Sequence, residues 1–351
     1  MDKMTYTNEY GEEIPMEVAP THEAREPRKP RVNPWAGGID TLVANVDKGL
    51  YNPISTGIKQ LNNILDGGFI NQQLIGISGK PGEGKSAATQ WLSESLLLNE
   101  GMSVVYMCLE MSTPQLQARS ISRLMYDRKD LPNLSHLEIL RGKSGWREGA
   151  ELYNRMYGDK IAYIGLDRLK EATIDNFVKV YKEFAEYNLS MGRKPPAFVV
   201  DYLQLLRVGN LSETEGLVVI MPKLKSLAMD YNTIGFVIIA NNRESNKENQ
   251  PTMASGRGSS SIEFGLDLML AVSKEKASNG IAKVTITPTK GRWTGDEGVL
   301  TLDFRGKYMH FTVNDKDLYG EPLPTREAKA VNDIANQPDR RKKAENIPLN
   351  I

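Results

Sequence analysis

The stretch GISGKPGEGKSAATQWL, residues 76–92, decides how this chain is read. It joins an aliphatic run, Leu74, Ile75, Gly76, Ile77, to a segment with Trp91, Leu92 and Leu96 that looks helical. A plain strand-to-helix connection does not need Gly79, Gly82 and Gly84 within six residues. A loop whose amides must curl around an anion does, because glycine permits positive φ and close backbone approach. The helix that follows adds the positive end of its dipole. Gly79, Lys80, Pro81, Gly82, Glu83, Gly84, Lys85 and Ser86 fill the pattern G-x-x-x-x-G-K-[ST] at every fixed position. With Ala87 they form the expected nucleotide-binding set. Lys85 would reach the β- and γ-phosphates and the Ser86 hydroxyl would ligate Mg²⁺. The expected ligands are therefore Mg²⁺ and ATP, or another ribo- or deoxyribonucleoside triphosphate.

Composition narrows the class without naming a function. Lys+Arg equals Asp+Glu at 44 each over 351 residues, so any nucleic-acid site must be local. The single cysteine, Cys108, excludes an intramolecular disulfide and suits a reducing compartment. No apolar run approaches membrane-spanning length, and the N-terminus lacks a signal-peptide core. A cytoplasmic protein without a membrane partner is expected.

Residues 1–37 are polar and proline-rich and read as a flexible N-terminal arm. Residues 38–50 carry Ile39, Leu42, Val43 and Val46 at helical spacing, a short amphipathic helix that needs a surface to cover it. From 51 to 313 strands and helices alternate. The expected strands are 73–78, 103–109, 161–165, 197–206, 234–240, 266–273, 282–290 and 298–304, and the expected helices lie near 85–99, 113–129, 173–189 and 216–231. The central strands are nearly all apolar, as strands buried on both faces should be. The expected fold is α/β, a mostly parallel twisted sheet flanked by helices, with late antiparallel strands. Residues 314–351 read as a flexible C-terminal tail.

Two carboxylates end buried strands beside the phosphate loop. Asp201 follows the apolar run Ala197–Val200, where ligands gather in open α/β sheets. With a phosphate loop in the same chain, a metal ligand is the favoured reading, over a carboxylate capping a turn. Glu110 ends the run VVYMCLE, where it can orient and deprotonate water. Its spacing fits equally a solvated residue ahead of a helix cap at Ser112 or Thr113.

The order of these motifs resembles the DnaB-type replicative helicases and phage primase-helicases, RecA-like enzymes of helicase superfamily 4. The resemblance runs from PISTGIKQLNNILDGGF (53–69) through LDF (302–304) and includes YMCLEMSTPQLQAR, VVDYLQLL, RGSSSIE (257–263) and KGRWTGDEG (290–298). It implies a RecA-like core with Glu110 as catalytic base. It also implies that Lys290 and Arg292 form a K-x-R pair reaching the γ-phosphate of a neighbouring protomer. Such a cation in trans stabilises charge on the transferring phosphoryl group. Where the family places a Gln or His sensor, the matching residue is Asn241, one methylene shorter than Gln.

In ring translocases of this family two loops line the central channel. Here they correspond to residues 207–216 and 243–258, which makes Arg207, Asn210, Arg243, Asn246, Lys247 and Arg257 the expected DNA contacts. The resemblance implies a hexameric ring acting on single-stranded and forked DNA in phage or mobile-element replication. A separate primase and a loader or polymerase would be its partners, since about 50 polar residues leave no room for a fused domain. The helix at 38–50 reads as a linker on an adjacent protomer or as a helix packed on its own core. Two other functions share the phosphate loop: a filament-forming recombinase and a regulatory ATPase that does not translocate. The K-x-R pair before WTGDEG argues against the recombinase.

Overall fold

The computed structural model describes residues 5–7, 11–15, 39–240, 259–276, 279–292 and 298–313. The chain divides into two compact units, Met1–Gly49 and Leu50–Ile351. In the first, β1 (Thr5–Thr7) pairs antiparallel with β2 (Glu13–Pro15). The same unit contains α1 (Ile39–Asp47), whose Ile39, Leu42, Val43 and Val46 are all exposed.

The second unit opens with α2 (Lys59–Ile64), β3 (Leu74–Ser78), α3 (Lys85–Glu100), β4 (Val104–Cys108) and α4 (Thr113–Tyr126). It continues through α5 (His136–Leu140), α6 (Trp146–Tyr157), β5 (Ile161–Ile164), α7 (Leu166–Leu169), α8 (Ile174–Ser190) and β6 (Ala197–Asp201). After a 3₁₀ turn at Leu203–Leu205 come α9 (Glu213–Asp230), β7 (Gly235–Ile238), α10 (Ser259–Gly265), β8 (Leu268–Lys274), β9 (Ala282–Gly291), β10 (Leu300–Arg305) and β11 (His310–Thr312). The nine strands β3–β11 form one sheet in the order β11-β10-β9-β8-β3-β7-β6-β4-β5. From β8 to β5 every pairing is parallel. From β8 to β11 every pairing is antiparallel. The expected mixed sheet, parallel first and antiparallel late, is the one formed.

Burial follows the pleat. Successive residues of a strand face opposite sides, and the apolar core accordingly splits into two layers. Ile75, Ile77, Tyr106, Val199 and Phe236 belong to one. Leu74, Val105, Phe198, Val200 and Val237 belong to the other. Every residue of β3, β4, β6 and β7 is buried. Covering both faces of a sheet removes the alternation that would mark a half-exposed strand, which is why these runs read as continuously apolar.

Three expectations need correction. The strand expected over 197–206 ends at Asp201, and Leu203–Leu205 turn as a 3₁₀ helix. The helix expected from 216 begins at Glu213, because Ser212 and Glu215 form a reciprocal cap: the Ser212 hydroxyl accepts from Glu215 N while the Glu215 carboxylate accepts from Ser212 N. No helix was expected between 130 and 160, yet α5 and α6 occupy most of it. The signals were present. Ser135 and Glu138 form the same kind of cap, and Leu152, Tyr153, Met156 and Tyr157 give α6 one buried face.

Candidate functional site

The loop after β3 closes on itself around an open concavity. Gly79 adopts φ +152, and a Cβ there would lie 2.3 Å from Val272 O, so no side chain fits. Gly84 is the N-cap of α3 in the left-handed region and offers no side-chain cap. The first amides of a 16-residue helix therefore face the loop without a side-chain acceptor. Lys80 N donates to Glu83 Oε2 at 2.6 Å. Lys85 Nζ donates to Gly79 O at 2.8 Å and Lys80 O at 3.1 Å. Burial lowers the Lys85 pKa, with Glu83, Glu110 and Asp201 opposing that shift.

Asp201 lies at the carboxyl end of β6, in register with Cys108 of β4. Only 2% of it is exposed. Its Oδ1 accepts from Ser86 Oγ at 3.2 Å and its Oδ2 from the Tyr106 hydroxyl at 2.8 Å. Burial pushes its carboxyl pKa up, and the hydrogen bonds from Tyr106 and Ser86 hold it down. The Ser86 and Asp201 oxygens thus meet beside the phosphate loop, a donor set suited to a hard cation such as Mg²⁺. Among the described residues no cluster of three or more His, Cys, Asp or Glu offers an alternative metal site. A cavity of about 450 Å³ opens over this group, bounded by Lys85, Ser86, Glu110, Arg119, Phe304 and Met309. Glu110 therefore shares one cavity with the phosphate loop. Arg119, Phe304 and Met309 were not expected there; they arrive from α4 and from the β10–β11 hairpin, and no local motif announces them.

Lys290 and Arg292 lie elsewhere. Lys290 is paired with Met269 and Gly291 with Leu268, and Leu268 stands beside Ile75 of β3. The pair therefore sits at the amino end of β3, and the phosphate loop leaves the carboxyl end. Four residue steps of strand separate the two ends by about 13 Å. Asp267 organises the amino end. It is 3% exposed, and its carboxylate accepts from Leu74 N at 2.8 Å, Lys225 Nζ at 2.7 Å and Arg292 Nη1 at 3.2 Å. Arg292 Nη2 also donates to Phe264 O at 2.6 Å, and Lys290 Nζ donates to Glu263 O. Burial lowers the Lys290 pKa and neighbouring Arg292 lowers it further.

Arg207 and Asn210 are exposed between the 3₁₀ turn and α9. Asn241, Arg243, Asn246, Lys247 and Arg257 lie outside the described residues. One further residue stands at the edge of that gap. Gln204 donates from Nε2 to Ala240 O at 2.9 Å and accepts from Ala240 N at 3.1 Å. It ties the turn after β6 to the residue just before Asn241. Among the described residues no helix is long and apolar enough to cross a membrane.

The family described as DnaB-like helicase C terminal domain matches residues 53–313. The replicative DNA helicase DnaB of Buchnera aphidicola subsp. Baizongia pistaciae (strain Bp) is 25% identical over 303 residues, covering 81% of this chain and 62% of that protein. The replicative DNA helicase DnaB of Treponema pallidum (strain Nichols) is 24% identical over 265 residues, covering 74% of this chain and 55% of that protein. The chain thus spans 55–62% of the length of these curated relatives. Among solved structures, an isolated ATPase domain superposes with a TM-score of 0.65 at 18% identity, over 79% of this chain and 98% of that one. A DnaB-like replicative helicase, described with its interactions with primase, superposes with a TM-score of 0.62 at 19% identity, over 79% of this chain and 67% of that one. At such identities the superpositions establish the RecA-like fold, and the family match over most of the sequence establishes more: this chain belongs to the DnaB-like helicase C-terminal domain family.

Proposed function

We propose that the chain is the ATP-hydrolysing motor of a replicative DNA helicase, a hexameric ring that moves along single-stranded DNA and separates the duplex ahead of it. The observation that carries this reading is the division of charge between the two ends of β3. One end holds a phosphate loop and two strand-end carboxylates; the other holds Arg292, tied to Asp267, and Lys290, tied to Glu263 O, away from their own chain's phosphate loop. Each half is what the facing half of a second copy would complete.

In this mechanism the phosphate loop amides and Lys85 hold the triphosphate. Ser86 and Asp201 hold Mg²⁺, which supplies charge neutralisation of the polyphosphate when bound. Glu110 orients the attacking water and takes its proton. Arg292 and Lys290 of one subunit stabilise the charge that develops on the γ-phosphoryl group of the next. Asn241 senses that group, and Arg207, Asn210, Arg243, Asn246, Lys247 and Arg257 follow the phosphates of the strand without reading its bases. Helix α1, with its apolar face exposed, links adjacent protomers. A primase is a proposed partner, in line with the solved DnaB-like helicase described with primase; a loader or polymerase, and action in the cytoplasm, complete the reading.

The test is ATP hydrolysis with and without single-stranded DNA, beside unwinding of a forked duplex, for wild type, Lys85→Ala and Arg292→Ala. Hydrolysis stimulated by DNA and lost in both variants is expected. Hydrolysis that ignores DNA, or that survives Arg292→Ala, would make a regulatory ATPase the better reading.

A further inference from the structure

Strand β6 turns out of the sheet after Asp201, while the chain of β7 runs on through Ile239 and Ala240. The ladder between the two strands closes at Val200 and Val237. On its other side the β7 chain keeps its hold, with Ile239 N donating to Ile77 O of β3 at 2.9 Å. On the vacated side a side chain takes the place of a strand. Gln204 donates from Nε2 to Ala240 O and accepts at Oε1 from Ala240 N. One amide thus satisfies both main-chain groups of one residue, as the opposite member of a hydrogen-bonded antiparallel pair would.

This link sits between two different surroundings. Ala240 and Tyr202, the residue after Asp201, both line the cavity over the phosphate loop. The far end of the turn is fixed as well: Arg207 N donates to Ala172 O at 2.8 Å, and Ile174 N donates to Arg207 O at 3.1 Å. Beyond it Arg207 and Asn210 are exposed. Leu203 and Leu206 are buried and already anchor the turn in the core. The amide of Gln204 is therefore not needed to hold the turn down; what it adds is a directional tie to Ala240. A short turn bonded at both ends passes on a displacement that a solvated loop would absorb.

We infer that Gln204 is a positioning residue that couples the nucleotide cavity to the exposed turn carrying Arg207 and Asn210. This rests on the proposed function, in which those two residues follow the phosphates of single-stranded DNA. A change in the cavity wall at Ala240 is carried by Gln204 to the turn, and DNA held at the turn acts back on the cavity through the same pair of bonds. Such coupling is reciprocal by linkage. Gln204 itself touches neither nucleotide nor DNA, so its effect belongs to the communication between them and not to the affinity for ATP.

The experiment is steady-state ATP hydrolysis by the full chain with and without a thymidine oligonucleotide, for wild type, Gln204→Met and Gln204→Glu. Gln204→Met keeps the length of the side chain and breaks both bonds. Its ratio of DNA-stimulated to DNA-free kcat should fall by about tenfold, within the usual range of coupling between sites, with KM for ATP unaltered. Gln204→Glu keeps the acceptor for Ala240 N and should lose less. In parallel, binding of the labelled oligonucleotide is compared with Mg²⁺ and either ADP or a non-hydrolysable ATP analogue; any difference between the two nucleotides in wild type should shrink in Gln204→Met. An unchanged stimulation ratio would overturn the inference. So would a proportionate fall of hydrolysis with and without DNA, together with a lowered melting temperature, which would make the residue structural. A loss in Gln204→Glu as large as in Gln204→Met would also overturn it, since the effect would not then follow the hydrogen bonds. Wild type that hydrolyses ATP without responding to DNA would remove the proposed function itself, a result seen before any variant is made.

Discussion

Strand β3 separates two clusters of charge that are built on different principles. At its carboxyl end Lys85, Ser86, Glu110 and Arg119 line one cavity, and Asp201 joins them by accepting from Ser86 Oγ. Some of their hydrogen-bonding capacity is left open, most plainly at Arg119 Nε. At its amino end Asp267 gathers Leu74 N, Lys225 and Arg292, and the backbone carbonyls of Glu263 and Phe264 accept one hydrogen bond each, from Lys290 and Arg292. The first cluster is arranged for a ligand that arrives; the second is braced. A long side chain that must act on another subunit gains from such bracing, because less rotamer freedom is lost when it makes contact. Arg292 is held by its guanidinium tip, through Nη1 to Asp267 and Nη2 to Phe264 O, while nearly half of its side chain stays exposed.

Breaking the far end should have the largest effect on catalysis. Arg292→Ala is expected to lower kcat by 10³-fold or more, on the order of the value of a trans arginine in phosphoryl transfer, while the affinity of the isolated chain for MgATP stays unchanged. Mixing it with Lys85→Ala subunits sharpens the point. Mixed assemblies should regain hydrolysis that neither variant has alone, and failure to regain any would place both residues in one active site of one chain.

Within the near cluster, the buried pair Glu94–Arg123 holds α3 and α4 together behind the cavity. Both side chains are about 95% buried, so Glu94→Gln leaves an uncompensated cation and should cost about 3–5 kcal/mol. Urea unfolding followed by circular dichroism would show a lower midpoint; an unchanged midpoint would mean that the pair is replaceable by a single hydrogen bond.

Asp267→Asn tests bracing directly. It keeps the size of the side chain and removes the charge that anchors Arg292 and Lys225. We expect kcat to fall by up to about a hundredfold through misplacement of Arg292, less than for Arg292→Ala, with KM for ATP unaltered. A fall in KM and kcat together would point to damage carried along β3 to the phosphate loop. The smallest effect should come from outside both clusters. Ser212→Ala removes the cap of α9 and should cost about 1 kcal/mol, read as a small shift in melting temperature with hydrolysis per folded chain retained.

How much of this was legible follows from how local each signal is. The phosphate loop is eight consecutive residues whose identities are fixed by backbone conformation, and it reads directly. The buried strands read as apolar runs, although the run 197–206 concealed a turn because Leu203 and Leu206 are buried in the turn as they would be in a strand. Helices α5 and α6 carried a capping pair and a buried face that a closer count of spacing would have found.

Sequence by itself determined the chemistry on offer: a phosphate loop, two strand-end carboxylates, a K-x-R pair and an alternating α/β core. Those are properties of residue type at fixed short spacing. Which groups meet was decided only by the tertiary structure. Sheet order brings Asp201 from β6 to Ser86 across 115 positions and sends Lys290 and Arg292 to the opposite end of β3, and the packing of α4 brings Arg119 to the phosphate-loop cavity. The physical reason is that strand pairing and register, set by burial of both sheet faces over the whole chain, fix these positions, and no short stretch of sequence contains that information.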